Sequence, residues 1–518
     1  FYKNYLTSPI RNIPGPFLNT FTTLIYLYHI VRGSYHQYTY FLHEKYGPIV
    51  RIGPRHISVA DYKAAKTILA SHDFRKTRGY SIMDIEGVPN MFSTRSSAEN
   101  RQRRRQIGPA YTSAKLAEME SMIMSNGCIA LLRKLRRIWE EEKGRDAGTS
   151  LARFNYMKEF HYMAFDVIGD LAFGRSFGIL ETGDARILEW IESTARAPYV
   201  FGLIPFAQRA KFLFKKMRSD VQALANFVTN ALDTRRKAIE EGGAGSVRND
   251  VLQMFLDAND PETGEKLTQG QLKSELLIQL FAGTDTISNT LTWTIHLLMH
   301  HPVIYRKLVD EIRTRFPPTD QDSDEEGFIT YREARDGLPY LGAVLHESMR
   351  ILPVAGAGMQ RVAPPGGISL LDGRYFVPKK YLLSVLVISI HHDPQIWGDV
   401  DHSVFYPERF LTTVTDGDGM MRTELSREMQ QQLMVFSSGV RICPGRHLAM
   451  IQMYTAMTNL LRNFDLVLTE RDKPRLMHFG KGKDSIKGCL ENNFFITMAP
   501  THPESDCWVS FRPVQAQA

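Results

Sequence analysis

The longest run of regularly spaced apolar positions lies in the middle of the chain and predicts one long helix. Apolar residues recur at helical spacing from Leu272 to Leu298, as they do on the buried face of an α-helix. Thr268 and Gln271 match the S/T-x-x-E/Q capping box that begins many helices. We therefore predict a helix from Thr268 to His300, roughly 45–50 Å long at the usual rise per residue.

Two other stretches predict β structure, and the remainder of the middle of the chain reads mostly helical. Residues 46–54 form an alternating stretch flanked by turn-forming residues, which predicts a strand pair. Residues 367–390 form a second β-rich region. The glycine-rich residues 242–249 and the acidic residues 317–327 predict surface connections. The fold class is therefore mainly α with a smaller β-rich part.

Composition and charge narrow the class of protein. An apolar content of 43% over 518 residues supports a large core and excludes a disordered chain. The net charge of +7 favours acidic partners or anionic lipid; without a recognition motif for DNA or RNA, we expect no nucleic-acid partner. The four cysteines form no C-x-x-C pair, which argues against a structural zinc site.

The most informative short segment runs from Phe436 to Gly445 and reads F-S-S-G-V-R-I-C-P-G. Glycines let the backbone fold closely around Cys443 and aim amide N–H groups at its sulfur. With Arg441 as a nearby cation, these dipoles favour a thiolate, the form that binds metal, and Phe436 can shield it from water. A lone cysteine is more often a buried structural residue, but this context favours an axial thiolate on haem iron.

The segment resembles the haem-binding loop of the cytochrome P450 family, F-x-x-G-x-R-x-C-x-G, and matches every fixed position. The wider pattern resembles the fungal microsomal members of that family. The resemblance implies the cytochrome P450 fold, with its long central helix across a buried haem b. It also implies Cys443 as the iron ligand and Phe436, Arg441 and Gly445 as cofactor-binding residues.

A second motif, Ala282-Gly283-Thr284-Asp285-Thr286, stands halfway along the predicted helix. Small residues there leave room for a diatomic ligand over a flat cofactor, and a threonine can bond back to a carbonyl and bend the helix. Taken alone, the motif is as well explained by a packing glycine beside a surface aspartate. Its resemblance to the oxygen-activation motif A/G-G-x-D/E-T implies that Ala282 lies at the cofactor and that Asp285 and Thr286 are catalytic.

The segment Glu347-Ser348-Met349-Arg350 places a carboxylate and a guanidinium on one helix face. Downstream, residues 406–410 resemble the family's PERF segment. Arg409 would then join Glu347 and Arg350 in a buried structural network, because a planar guanidinium holds a carboxylate in two directions.

A basic run at residues 101–105 is a third candidate feature. Helical spacing groups Arg101, Arg104 and Arg105 on one side, and such a run is usually a solvated face. By resemblance, Arg104 fits the helix arginine that binds a haem propionate. Asn100 stands where the family usually has Trp or His, which puts the family's aromatic or imidazole contact to the propionate in doubt.

Arg361 fits the family's second propionate arginine, and Arg441 is a candidate for a third. Two segments depart from the family pattern. Lys380-Tyr381 replaces the usual Gly-Thr, so we expect different local geometry. His391-His392-Asp393-Pro394 replaces H-R-D-P, and we interpret it as a structural turn rather than a metal site.

The resemblance implies a monooxygenase that inserts one oxygen atom of O2 into a hydrophobic small molecule, with hydroxylation of a secondary metabolite as the default. Electrons would come from NADPH through a separate NADPH-cytochrome P450 reductase, because the chain has no flavin-binding or Rossmann segment. The expected substrate lining is residues 80–92, 198–206, 276–286 and 354–359. Desaturation, phenol coupling, a haem-thiolate isomerase or dehydratase, and a haem sensor remain open alternatives.

No run of eighteen apolar residues occurs, and the apolar stretch 17–31 is too short and polar to span a bilayer. Ile13-Pro14-Gly15-Pro16 resembles the proline-rich hinge of microsomal relatives, so we expect an N-terminal anchor outside this sequence. The expected location is the endoplasmic reticulum membrane, facing the cytosol. We assign residues 1–30 to the hinge and membrane-proximal segment, and residues 31–518 to one catalytic domain. The candidate surface for docking of the electron-donor protein lies near Arg441, Arg446 and residues 133–137, although a solvated helix face is the usual role of such a cluster as the last.

Overall fold

One long helix, Gln269–His300, is the axis of this computed structural model, which is 57% helical. Its first turn has the predicted capping box, in which the side chains of Thr268 and Gln271 each accept a backbone N–H of the other residue. The predicted helix and the mainly-α class are therefore confirmed. The structure describes residues 6–143, 150–191, 193–194, 214–242, 248–318, 327–398, 400–415, 419, 421–479 and 486–514.

The other α-helices surround this central helix. Their bounds are Leu24–Val31, Tyr35–Tyr46, Tyr62–Ala70, Ser97–Ile107, Ser113–Glu118, Glu120–Met124, Ala130–Glu142, Tyr156–Phe173, Ile179–Thr182, Lys215–Glu240, Val251–Asp257, Pro302–Arg315, Tyr331–Gly337, Pro339–Ile351, Val387–Ile390, Pro394–Trp397, Arg427–Gln432, Arg446–Asn463 and Pro503–Asp506. Short 3₁₀ turns lie at Phe17–Thr20, Arg78–Met83, Gly108–Tyr111, Pro407–Phe410, Gly439–Arg441 and Glu470–Asp472, and a π-helical turn at Ser125–Ile129.

The helix Tyr156–Phe173 packs directly against the central helix, and a glycine sets the spacing. A Cβ atom on Gly283 would lie 2.6 Å from the Cδ1 atom of Ile168. Any larger residue would push the helices apart, because protein interiors are packed at crystal-like density. The sequence motif 282–286 is thereby held against a buried neighbouring helix.

The strands form one four-stranded sheet and several smaller ones. In the four-stranded sheet the order is Ile49–Gly53, His56–Val59, Leu382–Val385 and Met359–Val362. Its outer pairs are antiparallel and its central pair is parallel. A three-stranded sheet joins Phe464–Val467, Trp508–Pro513 and Ala152–Asn155, and two-stranded pairs join Ile368–Leu370 with Tyr375–Val377, Leu411–Thr415 with Met421–Leu425, Leu476–Phe479 with Ile486–Leu490, and Asn492–Phe494 with Met498–Pro500.

The β predictions are confirmed with one shift of boundary. The stretch 46–54 contains the first strand of the pair, Ile49–Gly53, and its partner His56–Val59 lies just beyond the stretch. Residues 367–390 contain three strands and end in the helix Val387–Ile390. The centres of the two predicted surface connections, residues 243–247 and 319–326, lie outside the described residues.

Buried apolar side chains form a large cluster among the helices and a second one around the four-stranded sheet. The hinge segment lies against this sheet, where the Arg51 N–H donates to the Pro14 carbonyl at 2.7 Å. A Cβ on Gly15 would approach the Arg51 carbonyl oxygen to 2.3 Å, so only glycine fits there. The proposed division at residue 30 stays a prediction.

Lys380, which stands where many relatives have glycine, adopts a left-handed backbone with φ of +69°. Its N–H donates to the Ala363 carbonyl at 3.1 Å, which holds the turn before the strand Leu382–Val385. Left-handed geometry costs an ordinary L-residue about 1–2 kcal/mol. The departure from the family pattern therefore leaves the turn in place and puts strain on its backbone.

The predicted network of Glu347, Arg350 and Arg409 is present and buried. Arg350 donates from Nε and a terminal nitrogen to the two Glu347 carboxylate oxygens, each at 2.7 Å. Arg409 Nε lies 3.5 Å from the same carboxylate. Arg350 also donates to the carbonyls of His391 and His402, at 2.7 and 2.9 Å, so the network ties the helix Pro339–Ile351 to the chain that precedes the PERF turn.

We predict that Glu347→Ala destabilises the protein by about 3–5 kcal/mol, because it leaves two buried guanidinium groups without their carboxylate. Denaturant unfolding and haem content per chain measure the effect, and the variant should fail to retain haem. Glu118→Ala is the matched control: it breaks a solvent-exposed i,i+3 pair with Lys115 and should cost less than about 1 kcal/mol. Equal unfolding midpoints for the two variants would contradict the prediction.

Candidate functional site

The Cys443 loop is held in shape by left-handed residues and by close contact with a neighbouring helix. Ser437 and Gly439 both have φ of +63°. A Cβ on Gly439 would lie 2.4 Å from the Ala70 Cα atom, so the loop lies against the end of helix Tyr62–Ala70. The Cys443 N–H donates to the Phe436 carbonyl at 2.8 Å, which closes the loop into a turn around the sulfur.

Opposing influences act on the Cys443 thiol. Burial raises its pKa, while the Gly445 N–H and the positive charges of Arg104 and Arg446 favour the thiolate. A backbone dipole is thus present, but the cations that act on the sulfur are Arg104 and Arg446 rather than the predicted Arg441, and burial outweighs them in the protein alone. Coordination to a metal deprotonates a thiol outright, so the site suits a metal-bound thiolate better than a free one.

Four cations converge beside this loop: Lys76, Arg104, Arg361 and Arg441. Burial, and then the charges of the three arginines, lower the pKa of Lys76 well below its usual value. Burial and the charges of Arg361 and Arg104 lower the pKa of Arg441 to about 10. Within the described ranges none of the four forms an ion pair with a carboxylate, and the charge of Glu99 is the smallest influence on the pKa of Arg441, so most of their repulsion is uncompensated.

The hydrogen bonds of these cations are also incomplete, because some of their donors have no acceptor. Arg104 donates to the Ile442 carbonyl at 2.5 Å, and Lys76 donates to the Phe92 carbonyl at 2.5 Å. Arg104 Nε and one terminal nitrogen of Arg441 are buried without a hydrogen-bond partner. Buried donors without partners are rare in native proteins. The two propionates of haem would supply both the missing charge and the missing acceptors, so these residues fit that cofactor.

The basic run 101–105 is arranged differently from the helical-face prediction. Arg104 alone faces the cysteine loop, and Arg101 is exposed. Arg105 turns away and binds Asp260 at 2.7 Å. Arg103, which the prediction left out, is the buried member and lies 3.4 Å from the Glu275 carboxylate. Of the three arginines predicted to share a side, Arg104 is the one that turns towards the loop, and residue spacing did not indicate that Arg103 is the buried member of the run.

Asn100, at the position where the family usually has Trp or His, does not join the cation cluster. Its side-chain amide donates to the Met91 carbonyl at 3.1 Å. The same residue, Met91, donates its N–H to the Glu275 carboxylate at 2.8 Å, and burial raises the pKa of that carboxyl to about 8. The segment 80–92, predicted to line the substrate site, is therefore fastened to the central helix at its end.

The motif in the central helix lies next to an open space. Ala282 is exposed and Asp285 and Thr286 are partly exposed, although most neighbouring positions on this helix are buried. The Thr286 hydroxyl donates to the Ala282 carbonyl at 2.7 Å, the back-bond expected from the sequence. Asp285 is not a solvated surface residue: burial raises its pKa, and its Oδ1 atom lies 3.5 Å from Nε2 of His161.

The other predicted residues are placed as follows. His391 Nε2 accepts the Met434 N–H at 3.0 Å and His392 Nδ1 contacts the Ile388 carbonyl at 2.7 Å. Asp393 caps the helix Pro394–Trp397. Each side chain of the segment thus has a structural contact, as interpreted. Of the predicted substrate lining, residues 198–206 lie outside the described residues.

Sequence reasoning missed Lys76 and His161. Lys76 lies in Phe74-Arg75-Lys76-Thr77, which carries no helical or strand period, and it reaches the site through the backbone bridge between Lys76 and Arg361. His161 lies in an apolar helix more than one hundred residues before Asp285. Only tertiary packing brings either residue to the site, so no local signal reveals them.

Comparison with known proteins gives a consistent picture. The family model described as Cytochrome P450 matches residues 14–489. The chain is 29% identical to cytochrome P450 monooxygenase helB1 of Aspergillus fumigatus over 97% of this chain and 82% of that protein. It is 30% identical to helB2 of the same organism, over 96% and 93%. It is 28% identical to benzoate 4-monooxygenase bphA of Aspergillus niger, over 89% of this chain and 88% of that protein.

We predict that Arg104→Ala loosens haem retention by about 10- to 100-fold, the effect of losing one or two hydrogen bonds to a charged group. The rate of haem transfer to apomyoglobin measures retention directly. Arg101→Ala, on the same helix but exposed, is the matched control and should leave the rate unchanged. Equal transfer rates for both variants would show that the propionates bind elsewhere.

Proposed function

The chain belongs to the cytochrome P450 family, and we propose that it is a haem-thiolate monooxygenase that hydroxylates a hydrophobic small molecule of fungal secondary metabolism. Haem, O2, an organic substrate and a redox partner follow from the family. The observation that carries the finer proposal is the set of four cations beside the Cys443 loop, two of them buried and two half-buried. A neutral or metal-only cofactor would leave their charge uncompensated.

In this proposal the cofactor is haem b, and each residue has a distinct task. Cys443 would be the thiolate ligand of the iron, with Phe436 shielding it and Gly445 giving the backbone room to approach. Lys76, Arg104, Arg361 and Arg441 would hold the two propionates. The bound cofactor would supply the chemistry of dioxygen activation and oxygen insertion.

The central helix supplies room and protons. Ala282 keeps a small side chain at the open turn, and the Thr286 hydroxyl, bonded to the Ala282 carbonyl at 2.7 Å, is positioned to order water there. Asp285 brings a carboxyl group whose pKa is raised by burial, closer to neutral pH, where a general acid works best. Retention of both residues favours oxygen activation over the rearrangement of an already oxygenated substrate.

Electrons would arrive from NADPH through a separate NADPH-cytochrome P450 reductase. Arg446 is exposed directly after the cysteine loop, which supports docking of an acidic donor at this face. Arg441 does not belong to that surface, because one of its terminal nitrogens is buried inside the cation cluster. The helix Ala130–Glu142 offers further exposed cations, Arg133 and Arg137.

The substrate is the least constrained part of the proposal. The described parts of the predicted lining include Met83, Met91, Val354 and Ala357, which favour an apolar molecule. Aromatic, terpenoid, polyketide and alkaloid compounds form the test library, with benzoate included because one relative is named for it. A low-to-high-spin shift of the Soret band on binding identifies the class, and its absence for every hydrophobic class would contradict a small-molecule oxygenase.

We predict that Thr286→Ala raises the share of consumed oxygen that leaves as hydrogen peroxide by about 3- to 10-fold, because the hydroxyl no longer orders water for proton delivery. The measurement is hydrogen peroxide formed per NADPH oxidised by the holoenzyme with reductase. Thr294→Ala is the matched control, since Thr294 makes the same back-bond, to Thr290 at 2.9 Å, further along the helix. An unchanged peroxide share would reject the role of Thr286.

We further propose that the protein lies on the endoplasmic reticulum membrane and faces the cytosol. No helix in the described ranges combines the length and hydropathy needed to cross a bilayer. The support comes from six exposed apolar or aromatic side chains close together in sequence: Phe17, Leu18, Leu24, Leu27, Tyr28 and Val31. Such a patch on the surface of a soluble protein marks a partner or a membrane.

We predict that Leu24→Glu with Val31→Glu lowers partition onto phosphatidylcholine–phosphatidylserine vesicles by about tenfold or more, because each side chain loses about 1.5 kcal/mol of apolar burial. Leu24 is 69% exposed and Val31 67%. Val303→Glu is the control, at a valine that is 70% exposed on the helix Pro302–Arg315. If the double variant sediments with vesicles like the control, the patch does not contact the membrane.

A further inference from the structure

The helix Tyr156–Phe173 brings one ionisable side chain to the oxygen-activation motif of the central helix. Nε2 of His161 lies 3.5 Å from Oδ1 of Asp285. The imidazole is stacked on the Phe165 ring, with the centroids 4.9 Å apart and the planes at 16°. This stacking fixes the ring plane, and the close helix contact at Gly283 fixes the distance between the two backbones.

The two groups are inside the molecule but still reach water. About a quarter of the His161 side chain and a third of the Asp285 side chain, 27% and 34%, are accessible. Burial raises the pKa of Asp285 and lowers that of His161, and each charge partly offsets the shift of the other. Burial thus moves the proton affinities of the carboxyl and the imidazole towards each other, which is the condition for easy proton exchange.

The other charged groups on and against these helices are paired elsewhere or act more weakly on this pair. Among the described residues, the charge that shifts the pKa of His161 is that of Asp285, and the reverse holds for Asp285. The remaining contacts nearby are Lys134 with Glu159, Arg248 with Asp170, Arg103 with Glu275, and Asp166 with the N–H groups of Ile179 and Leu180.

We propose that His161 is the proton-supplying partner of Asp285, an inference that rests on the proposed function. A proton leaves Nε2 of the imidazolium and binds Oδ1 of the carboxylate, giving a neutral imidazole and a carboxylic acid. A proton from bulk solvent, relayed through water in the adjoining space, then reprotonates the imidazole. His161 is a positioning residue, because it acts on oxygen activation through Asp285.

The proposal fixes the direction of two pH effects. Two sites that share the last proton hold it to a higher pH than one site alone. The rate at which oxygen is reduced to water should therefore fall at a lower pH, on the alkaline side of its pH profile, once the imidazole is removed. In contrast, the Asp285 carboxyl loses a neighbouring positive charge, so its own pKa should rise. A purely structural role for His161 predicts neither shift.

The test uses the holoenzyme with reductase and NADPH, without added substrate, and measures the hydrogen peroxide share of oxygen consumption against pH. His161→Gln removes the proton site, and His161→Phe removes it while keeping a ring for Phe165 to stack on. Both should slow oxygen-to-water turnover about tenfold at neutral pH, at the modest end of general acid effects, with the alkaline limb displaced downward. His161→Phe with a wild-type profile would overturn the proposal and leave only packing.

A spectroscopic readout separates the proton role from activity. The infrared band of the protonated Asp285 carboxyl, identified by its loss in Asp285→Asn, should titrate at higher pH in His161→Gln than in the wild type. An unshifted band would contradict the pairing. The control is His502→Gln, because His502 lies 3.6 Å from Glu491 in an equally spaced but solvent-exposed pair, and it should change neither readout.

The double variant decides whether His161 acts through Asp285. His161→Gln in the Asp285→Asn background should add no further loss, since residues that work as a unit are non-additive. Additive losses would reject the coupling. If Asp285→Asn and Thr286→Ala alone leave the peroxide share unchanged, the proposed function of the motif fails. If they change it and His161→Gln does not, only this inference fails.

Discussion

Electrostatic repulsion among four cations, two buried and two half-buried, is the constraint around which the candidate site is built. Lys76, Arg104, Arg361 and Arg441 come from four separate parts of the chain, and within the described residues none of them has a carboxylate in ion-pair contact. Such an arrangement is costly in the protein alone, because burial penalises charge and like charges repel. In the proposed haem site, a dianionic cofactor would turn the same arrangement into a strong binding site, because its two carboxylates would offset the repulsion.

The rest of the fold brings those charges and the cysteine together on well-anchored elements. Gly439 lets the cysteine loop lie against the helix Tyr62–Ala70. That helix comes shortly before Lys76 in the chain. The buried Glu347–Arg350–Arg409 network fixes the chain leading to the PERF turn. The close contact at Gly283 holds the central helix against its neighbour. Of these anchors, Gly439 meets backbone atoms of the helix end directly, so a larger residue would not fit there without a backbone shift.

The sequence predicted the parts of this site that depend on local pattern. The central helix, its capping box and the i,i+3 pair of Glu347 and Arg350 follow from spacing along a single element. The cysteine loop is a contiguous segment whose sequence resembles the haem-binding loop of the family. The predicted strand pair extends beyond its expected boundary, because a short alternating stretch does not reveal where its partner ends.

Residues that enter the site through tertiary contact could not be predicted. Lys76 and His161 carry no period or motif, and Arg103 was left out because a polar helix gives no sign of which face is buried. These three are also the residues that extend the account beyond the family pattern. Lys76 completes the cation cluster, Arg103 meets the Glu275 carboxylate that binds the Met91 N–H, and His161 faces the oxygen-activation motif.

The central claim is that Cys443 is a thiolate ligand of a propionate-anchored haem. The most direct measurement is the Soret band of the reduced, carbon-monoxide-bound protein in the wild type and in four cysteine-to-serine variants. The account predicts the band characteristic of thiolate ligation in the wild type and in Cys128→Ser, Cys489→Ser and Cys507→Ser, whose cysteines are buried in the core, and its loss in Cys443→Ser alone. Retention of that band in Cys443→Ser would contradict the account.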